Sequence, residues 1–155
     1  MLQNLVLLVK SFVQLIHTLF SCNLACQSLR NCCWPITDPL SCCIFYRNCT
    51  RDIDTLAEVL DRLFISKGQA VIVGECGAMN RDNEDYRAQW AQYYFSKFKE
   101  IGIPCFWWDN GAFLSGETFG LFDRHTNEVR YPALLEGIMK GASGEALAIE
   151  ETDAA

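Results

Sequence analysis

Histidine, positive charge and phosphate-binding motifs are the scarce features of this sequence. Only two of its 155 residues are histidines, which leaves little material for a histidine-based metal site or catalytic triad. Thirteen basic residues stand against nineteen acidic ones, and this net charge of −6 disfavours nucleic-acid binding. Glycine-rich phosphate loops and internal repeats are absent as well. Half of the residues are hydrophobic, which excludes a disordered chain, and the length is that of one domain.

Cysteine and charge are distributed unevenly, with a break after Thr50. Residues 1–50 hold seven of the nine cysteines, three basic residues and one acid, for a net charge of +2. The rest of the chain carries a net charge of −8. The break predicts three segments: a cysteine-rich apolar leader at 1–50, a folded part at 51–142 and a loose acidic tail at 143–155.

The leader matches no standard module. Lys10 and His17 interrupt the apolar run of residues 1–20. That run is therefore a poor membrane helix and a poor signal peptide, and we expect neither membrane contact nor export by it. Adjacent cysteines such as Cys32 and Cys33 lack the spacing of zinc ribbons, so we expect no metal. Two interpretations stay open, namely a shifted reading frame or misplaced start and a weak signal segment.

From Asp52 onward the sequence alternates between helical and strand patterns. Apolar residues at helical spacing predict a helix from about Asp52 to Lys67, which Gly68 ends. The further predicted elements are a strand at 70–73, a helix at 84–100 with an apolar stripe of Tyr86, Trp90, Tyr93, Tyr94 and Phe98, a strand at 103–108, a turn at 125–128 and a helix at 132–140. Continuously apolar strands between helices are typical of a parallel α/β sheet that is buried on both faces. Two strands are too few for a closed barrel, which indicates a piece of a larger fold.

Acidic and aromatic residues follow the two predicted strands. Glu75 lies between Gly74 and Gly77 after the first strand, and Trp107, Trp108, Asp109 and Asn110 end the second. Functional residues collect at the carboxyl ends of parallel strands. A carboxylate beside an exposed aromatic is typical of a carbohydrate site, where the carboxylate attacks an anomeric carbon and the aromatic face carries a sugar ring.

These residues also have plainer interpretations. Glu75 fits an ordinary loop acid, and residues 109–111 have the composition of a turn. Cys76 and Cys105 are most simply buried thiols. Since successive strand residues point to opposite faces, we expect one of the two tryptophans to face a ligand and the other to lie in the core.

Three stretches of the second segment, taken together, resemble a known family. They are AVIVGECGA at 70–78, GIPCFWWDNG at 102–111 and FGLFDR at 119–124, followed by Tyr-Pro at 131–132. Their order and spacing resemble the carboxyl-terminal end of glycoside hydrolase family 5, the cellulase family. The resemblance covers about residues 52–142. It implies a TIM-type (β/α)₈ barrel that is incomplete in this chain. It also implies an enzyme that hydrolyses β-linked glucans with retention of the anomeric configuration and needs no metal or organic cofactor.

The resemblance also implies roles for single residues. Strand seven would be Ala70–Glu75 and strand eight Ile103–Trp108. Glu75 matches the catalytic nucleophile. Trp108, with Trp107 as the fallback, would stack on a sugar ring, and Asn110 would bond a sugar hydroxyl.

One part of the family pattern is missing. The family carries its general acid/base in an Asn-Glu-Pro motif on strand four, and this sequence has no such motif. We therefore expect a partial endo-β-1,4-glucanase that is inactive as an isolated chain. The alternatives are a non-catalytic fragment or interaction piece, and a family member that acts on mannan or xyloglucan. The expected partner is a β-linked polysaccharide, and the family implies an extracellular or cell-surface location.

Overall fold

The computed structural model describes residues 39–147 of the chain. Its elements are α1 (Pro39–Leu63), a 3₁₀ turn (Ile65–Lys67), β1 (Val73–Cys76), α2 (Glu84–Glu100), β2 (Cys105–Trp107), β3 (Phe122–Asp123), β4 (Glu128–Val129) and α3 (Pro132–Ser143). The predictions for the leader before residue 39 and for the tail after residue 147 lie outside the described residues. Within residues 39–147, no helix combines the length and the apolar character that crossing a membrane requires.

Helix α1 begins well before the predicted start. It runs from Pro39 through Thr50, so the break in composition falls inside a helix and the predicted start near Asp52 is wrong. Proline suits the first turn of a helix, because its missing N–H would have no partner there. The α-helix ends at Leu63, four residues before the predicted end, and Gly68 instead caps the 3₁₀ turn that follows: it has φ 73°, and its N–H donates to the carbonyl of Ile65 at 2.8 Å.

The parallel pairing of the two strands is confirmed. Strand β1 lies beside β2, with Val73 opposite Cys105, and the Val73 N–H donates to the carbonyl of Pro104 at 3.0 Å. Strand β1 begins and ends three residues later than the predicted 70–73, so that Glu75 lies within it, and β2 is shorter than the predicted 103–108. The order of helix, strand, helix and strand follows the prediction.

The described helices cover this sheet on one face only, which corrects the prediction of strands buried on both sides. Val71, Val73 and Cys105 pack against the hydrophobic core on the helix side. Ile72 and Phe106, by contrast, are 50% and 56% exposed. The apolar sequence of the strands therefore did not predict the exposure of the face that carries Ile72 and Phe106.

Helix α2 forms the centre of the core. The buried cluster consists of Ile53, Leu56, Ala57, Leu60, Cys76, Ala91, Tyr94, Phe95, Phe98, Ile103, Leu121, Leu134 and Ile138. The buried face of α2 differs from the predicted stripe, since Ala91 and Phe95 are buried whereas Trp90 and Tyr93 are half-buried. The reason is that α2 packs against both α1 and α3.

The last part of the chain holds two small corrections. Strands β3 and β4 flank the predicted turn and form an antiparallel hairpin that the sequence did not indicate. Asn127 closes its loop with φ 60°. Helix α3 starts at Pro132 as predicted, but it ends at Ser143 rather than near Lys140. Gly144, in the left-handed region, caps this end.

Candidate functional site

Glu75 lies at an irregularity of β1 near the carboxyl end of the strand. Val73 is opposite Cys105 and Cys76 is opposite Trp107, so β1 has one more residue than β2 between the two pairs. This β-bulge lets Val73 and Cys76 both contact the core while Glu75 remains exposed. Bulges are frequent beside active sites, where they redirect a side chain. The carboxylate is therefore presented at the protein surface.

The two tryptophans at the end of β2 have different surroundings. The Trp107 ring packs edge-on against Trp90, with 6.3 Å between the ring centroids, and belongs to the core side of the sheet. Trp108 is 42% exposed. Its backbone N–H donates to the carbonyl of Cys76 at 2.8 Å, which fixes it beside the end of β1. Of the pair, Trp108 is the more exposed side chain.

The ends of the two strands lie close together at Gly77. Gly77 follows Glu75 by two residues, and a Cβ atom at this glycine would lie 3.8 Å from the Cβ of Trp108. The same Cβ would lie 3.2 Å from the ring of Phe119. The strand end that carries the carboxylate and the exposed aromatic thus share one edge of the sheet.

Asp109 organises the loop that follows Trp108. Its Oδ1 accepts hydrogen bonds from the backbone N–H groups of Gly111 at 2.9 Å and Leu121 at 3.1 Å. Arg124 donates to the Asp109 carbonyl at 2.8 Å and lies 3.4 Å from its carboxylate. This acid holds the loop to the start of the hairpin.

Asn110 also serves the loop. Its Oδ1 accepts from the N–H groups of Ala112 at 3.0 Å and Phe119 at 3.3 Å, and its Nδ2 donates to the carbonyl of Glu117 at 2.6 Å. Only the second hydrogen of the amide is left for the sugar hydroxyl that the sequence assigned to this residue.

Sequence reasoning missed Arg87, a buried cation on α2. It is 1% exposed, and its Nε donates to the carbonyl of Ala78 at 2.9 Å, in the loop that follows Glu75. Its guanidinium carbon lies 4.8 Å from the centre of the Tyr131 ring. Neither Nη atom forms a hydrogen bond with a described residue. Burial lowers the pKa of Arg87, while Tyr131 and Glu84 oppose that shift.

The same loop is held a second time at Asn80. The Asn80 N–H donates to the carbonyl of Thr118 at 2.8 Å, and the Thr118 hydroxyl donates back to the Asn80 carbonyl at 2.9 Å. The Asn80 Nδ2 donates to the Tyr131 hydroxyl at 3.0 Å. The loop after β1 is therefore fixed to α2, to the loop before the hairpin and to the start of α3.

The two thiols on the helix side of the sheet, Cys76 and Cys105, have raised pKa values. Burial raises the pKa of Cys76 well above its ordinary value, with Cys105 as the smaller cause. Burial also raises the pKa of Cys105 to about 12. Both thiols are therefore protonated at neutral pH, which agrees with their interpretation as packing residues.

The fold and the site together define an α/β protein whose carboxylate and aromatic lie at the carboxyl ends of neighbouring parallel strands. The cellulase model of glycosyl hydrolase family 5 matches residues 37–114. The match begins before the composition break at Thr50 and includes Glu75 and Trp108. The chain belongs to glycosyl hydrolase family 5.

The similar proteins are longer than this chain. Endoglucanase B of Neocallimastix patriciarum is 52% identical over 91 residues, which are 58% of this chain and 19% of that protein. Endoglucanase B of Ruminococcus albus is 43% identical over 94 residues, which are 60% of this chain and 23% of that protein. The chain thus spans about a fifth of the length of these curated relatives.

A solved structure is also similar to this chain over part of its length. It is a mutant of the family 5 lichenase from Caldicellulosiruptor sp. F32 in complex with cellotetraose, and it is 39% identical to this chain. The TM-score is 0.59, and the alignment covers 70% of this chain and 28% of that one. The chain therefore matches one segment of a (β/α)₈ barrel family.

Proposed function

We propose that the chain carries the nucleophile-bearing end of a retaining β-glucan hydrolase, with β1 and β2 as strands seven and eight of the barrel. The observation that carries this proposal is the exposed Glu75 on a bulged strand end beside Trp108. An order of helix, parallel strand, helix and parallel strand agrees with the last units of such a barrel.

The proposed reaction is a double displacement. The Glu75 carboxylate attacks the anomeric carbon, forms an ester to it and breaks its bond to the leaving oxygen. A second carboxyl group must protonate that oxygen and then take a proton from the water that hydrolyses the ester and frees Glu75; in retaining enzymes it lies about 5–5.5 Å from the nucleophile. Asp109 is committed to its loop, and the family's Asn-Glu-Pro motif does not occur in the sequence. Since general acid/base help is worth about 10²–10⁴-fold, we propose that the isolated chain does not turn over natural glucan.

The side chains around Glu75 receive separate roles. Trp108 provides the flat apolar surface for a sugar ring. Trp107, the fallback from the sequence, is assigned to the core because its ring packs on Trp90. Asn110 acts first through the loop that it holds, and offers its remaining amide hydrogen to a sugar hydroxyl.

The proposed substrate is a β-1,4-linked glucan. Its support is that the similar proteins are endoglucanases and a lichenase whose mutant was solved with cellotetraose. Such a polymer is too large to enter a cell, so we place the activity of the complete enzyme outside the cell or at its surface.

Labelling with an activated fluorosugar tests the nucleophile without the missing acid. In 2,4-dinitrophenyl 2-deoxy-2-fluoro-β-cellobioside, the dinitrophenolate leaves as an anion and needs no proton. We expect the full chain to gain one fluorocellobiosyl group on the peptide that contains Glu75. We expect Glu75→Gln to gain none, whereas Glu117→Gln, which changes an exposed acid of the neighbouring loop, should be labelled like the wild type.

Measurements on the same sample can also contradict the proposed function. Labelling of Glu75→Gln, or no labelling of a chain that melts cooperatively by circular dichroism, would contradict the nucleophile assignment. Release of reducing sugar from soluble β-glucan by the chain alone would contradict its proposed inactivity.

A further inference from the structure

Arg87 links the buried centre of the protein to the segment that carries Glu75. Its Nε–H donates to the carbonyl of Ala78, which is 3% exposed and three residues after Glu75. We propose that Arg87 is a positioning residue, which fixes the segment from Glu75 to Ala78 and with it the direction of the carboxylate. This inference rests on the proposed role of Glu75 as the nucleophile.

The energetics of Arg87 argue against a purely stabilising role. A guanidinium is costly to bury unless its donors are paired, and neither Nη atom is bonded to a described residue. The Tyr131 ring and the Glu84 charge offset part of that cost. An apolar side chain of similar length would fill the same space without the cost. What such a side chain lacks is the Nε–H that holds Ala78.

The anchoring is specific to the segment after the bulge. Between Glu75 and Ala78 lie only Cys76, which pairs with β2, and Gly77, whose neighbour is the Phe119 ring. The next anchor is at Asn80, beyond Ala78. Arg87 is thus the first anchor supplied by a side chain of the described residues once the chain leaves the ladder.

Small displacements matter at such a position. A reacting group has to be held to within about 0.5 Å, and a misplacement of about 1 Å can lower a rate about a hundredfold. A loop that loses its first anchor after a bulge is free to move on that scale, although the helices beneath it are unchanged. Loss of Arg87 should therefore change the site more than the fold.

The test compares Arg87→Met and Arg87→Lys with the full chain. Four quantities are measured: the melting temperature, the ¹³C chemical shift of the Glu75 carboxyl group, the hydrogen exchange of the Gly77 amide, and the rate of labelling by the fluorosugar. Arg62→Met, on the exposed side of α1, is the matched control. We expect Arg87→Met to change the melting temperature little, because relief of the buried charge offsets loss of the donor to the buried Ala78 carbonyl, to shift the Glu75 resonance, and to slow labelling about tenfold or more. Arg87→Lys, whose ammonium can still donate to Ala78, should recover part of the rate.

Two outcomes overturn the proposal, and a third overturns only the proposed nucleophile. If Arg87→Met lowers the melting temperature while labelling per folded molecule is unchanged, Arg87 is structural only. If it behaves like Arg62→Met in all four measurements, Arg87 positions nothing. If the wild type itself is not labelled, the proposed nucleophile fails. The Glu75 resonance and the hydrogen exchange of the Gly77 amide then still decide whether Arg87 fixes the segment.

Discussion

Separate replacement of Trp107 and Trp108 by alanine should divide stability from glucan binding, although the two residues are adjacent. Loss of a core tryptophan costs about 3–5 kcal/mol. Trp107 is half-buried, which reduces this figure, but its edge-on pair with Trp90 adds about 0.5–1.5 kcal/mol. We expect Trp107→Ala to lower the free energy of unfolding by about 3 kcal/mol. Trp108 is 42% exposed and outside the core cluster, so its loss should cost about 1 kcal/mol or less.

The effect on sugar binding should have the opposite order. If Trp108 carries a sugar ring, Trp108→Ala should weaken cellotetraose binding about tenfold, which corresponds to about 1.4 kcal/mol. Trp107→Ala should change the affinity of the folded fraction less than about threefold, about 0.6 kcal/mol by the same relation. Urea unfolding followed by circular dichroism gives the stability, and a cellotetraose titration followed by nuclear magnetic resonance gives the affinity.

Trp108→Phe is the matched control, since it keeps a flat ring at the same place and should retain most of the binding. A stable Trp107→Ala that no longer binds cellotetraose would refute the reasoning, because it would exchange the two roles. Equal loss of stability and of binding in both variants would refute it as well, because the faces of β2 would then not be independent.

Two further predictions concern the helix layer. Gly137→Ala should destabilise the protein by about 2 kcal/mol, because the new Cβ would collide with the backbone carbonyl of Ala88. Such overpacking costs up to about 3 kcal/mol. The higher helix propensity of alanine offsets about 1 kcal/mol of that cost. Met139→Ala, on the exposed side of the same helix, is the control for urea melts, and a Gly137→Ala as stable as the wild type would disprove the close contact. The Tyr93 hydroxyl donates to Asp54 at 2.8 Å, and burial, then this hydrogen bond, raises the pKa of Tyr93 above its unfolded value of about 10. The contribution of the Tyr93 hydroxyl to the free energy of unfolding is therefore complete below about pH 10 and is lost as the pH rises further. Urea midpoints measured from about pH 8 to about pH 11 should thus fall less steeply for Tyr93→Phe than for the wild type. Parallel curves for the two proteins would contradict the assignment.

The order of the elements could be predicted because it depends on local patterns. The helix at 84–100, the parallel strands and the glycine cap at Gly68 follow from periodicity and chain punctuation, and the structure confirms them. The separation of Trp107 from Trp108 follows from the alternation of side chains along a strand. The bulge at Glu75 does not, since it is a mismatch between two strands that are some thirty residues apart in the sequence.

Other features depend on neighbours that a single segment does not specify. A lone arginine four residues after Asn83 has the pattern of a solvated helix position, and its burial arises only where α2, α3 and the loop after β1 meet. The helix-side contact of Gly137 is invisible for the same reason. Burial of Ile72 and Phe106 was predicted from their apolar character, but that character describes the surroundings of a strand only when every neighbouring element is counted.

The two faces of the β1–β2 sheet explain why folding and catalysis should separate in this chain. The helix side holds the buried cluster of the described residues. The other side presents Glu75 together with the half-exposed Ile72 and Phe106. The lichenase chain is several times longer than the segment of it that is matched here, and in a closed barrel such apolar strand residues are covered by the other strands. Under the proposed function, the second carboxyl group comes from the longer barrel, whereas Glu75 and the buried cluster lie in this chain. A chain that folds, accepts the fluorosugar at Glu75 and leaves natural glucan intact is therefore the specific outcome that this division of the sheet predicts.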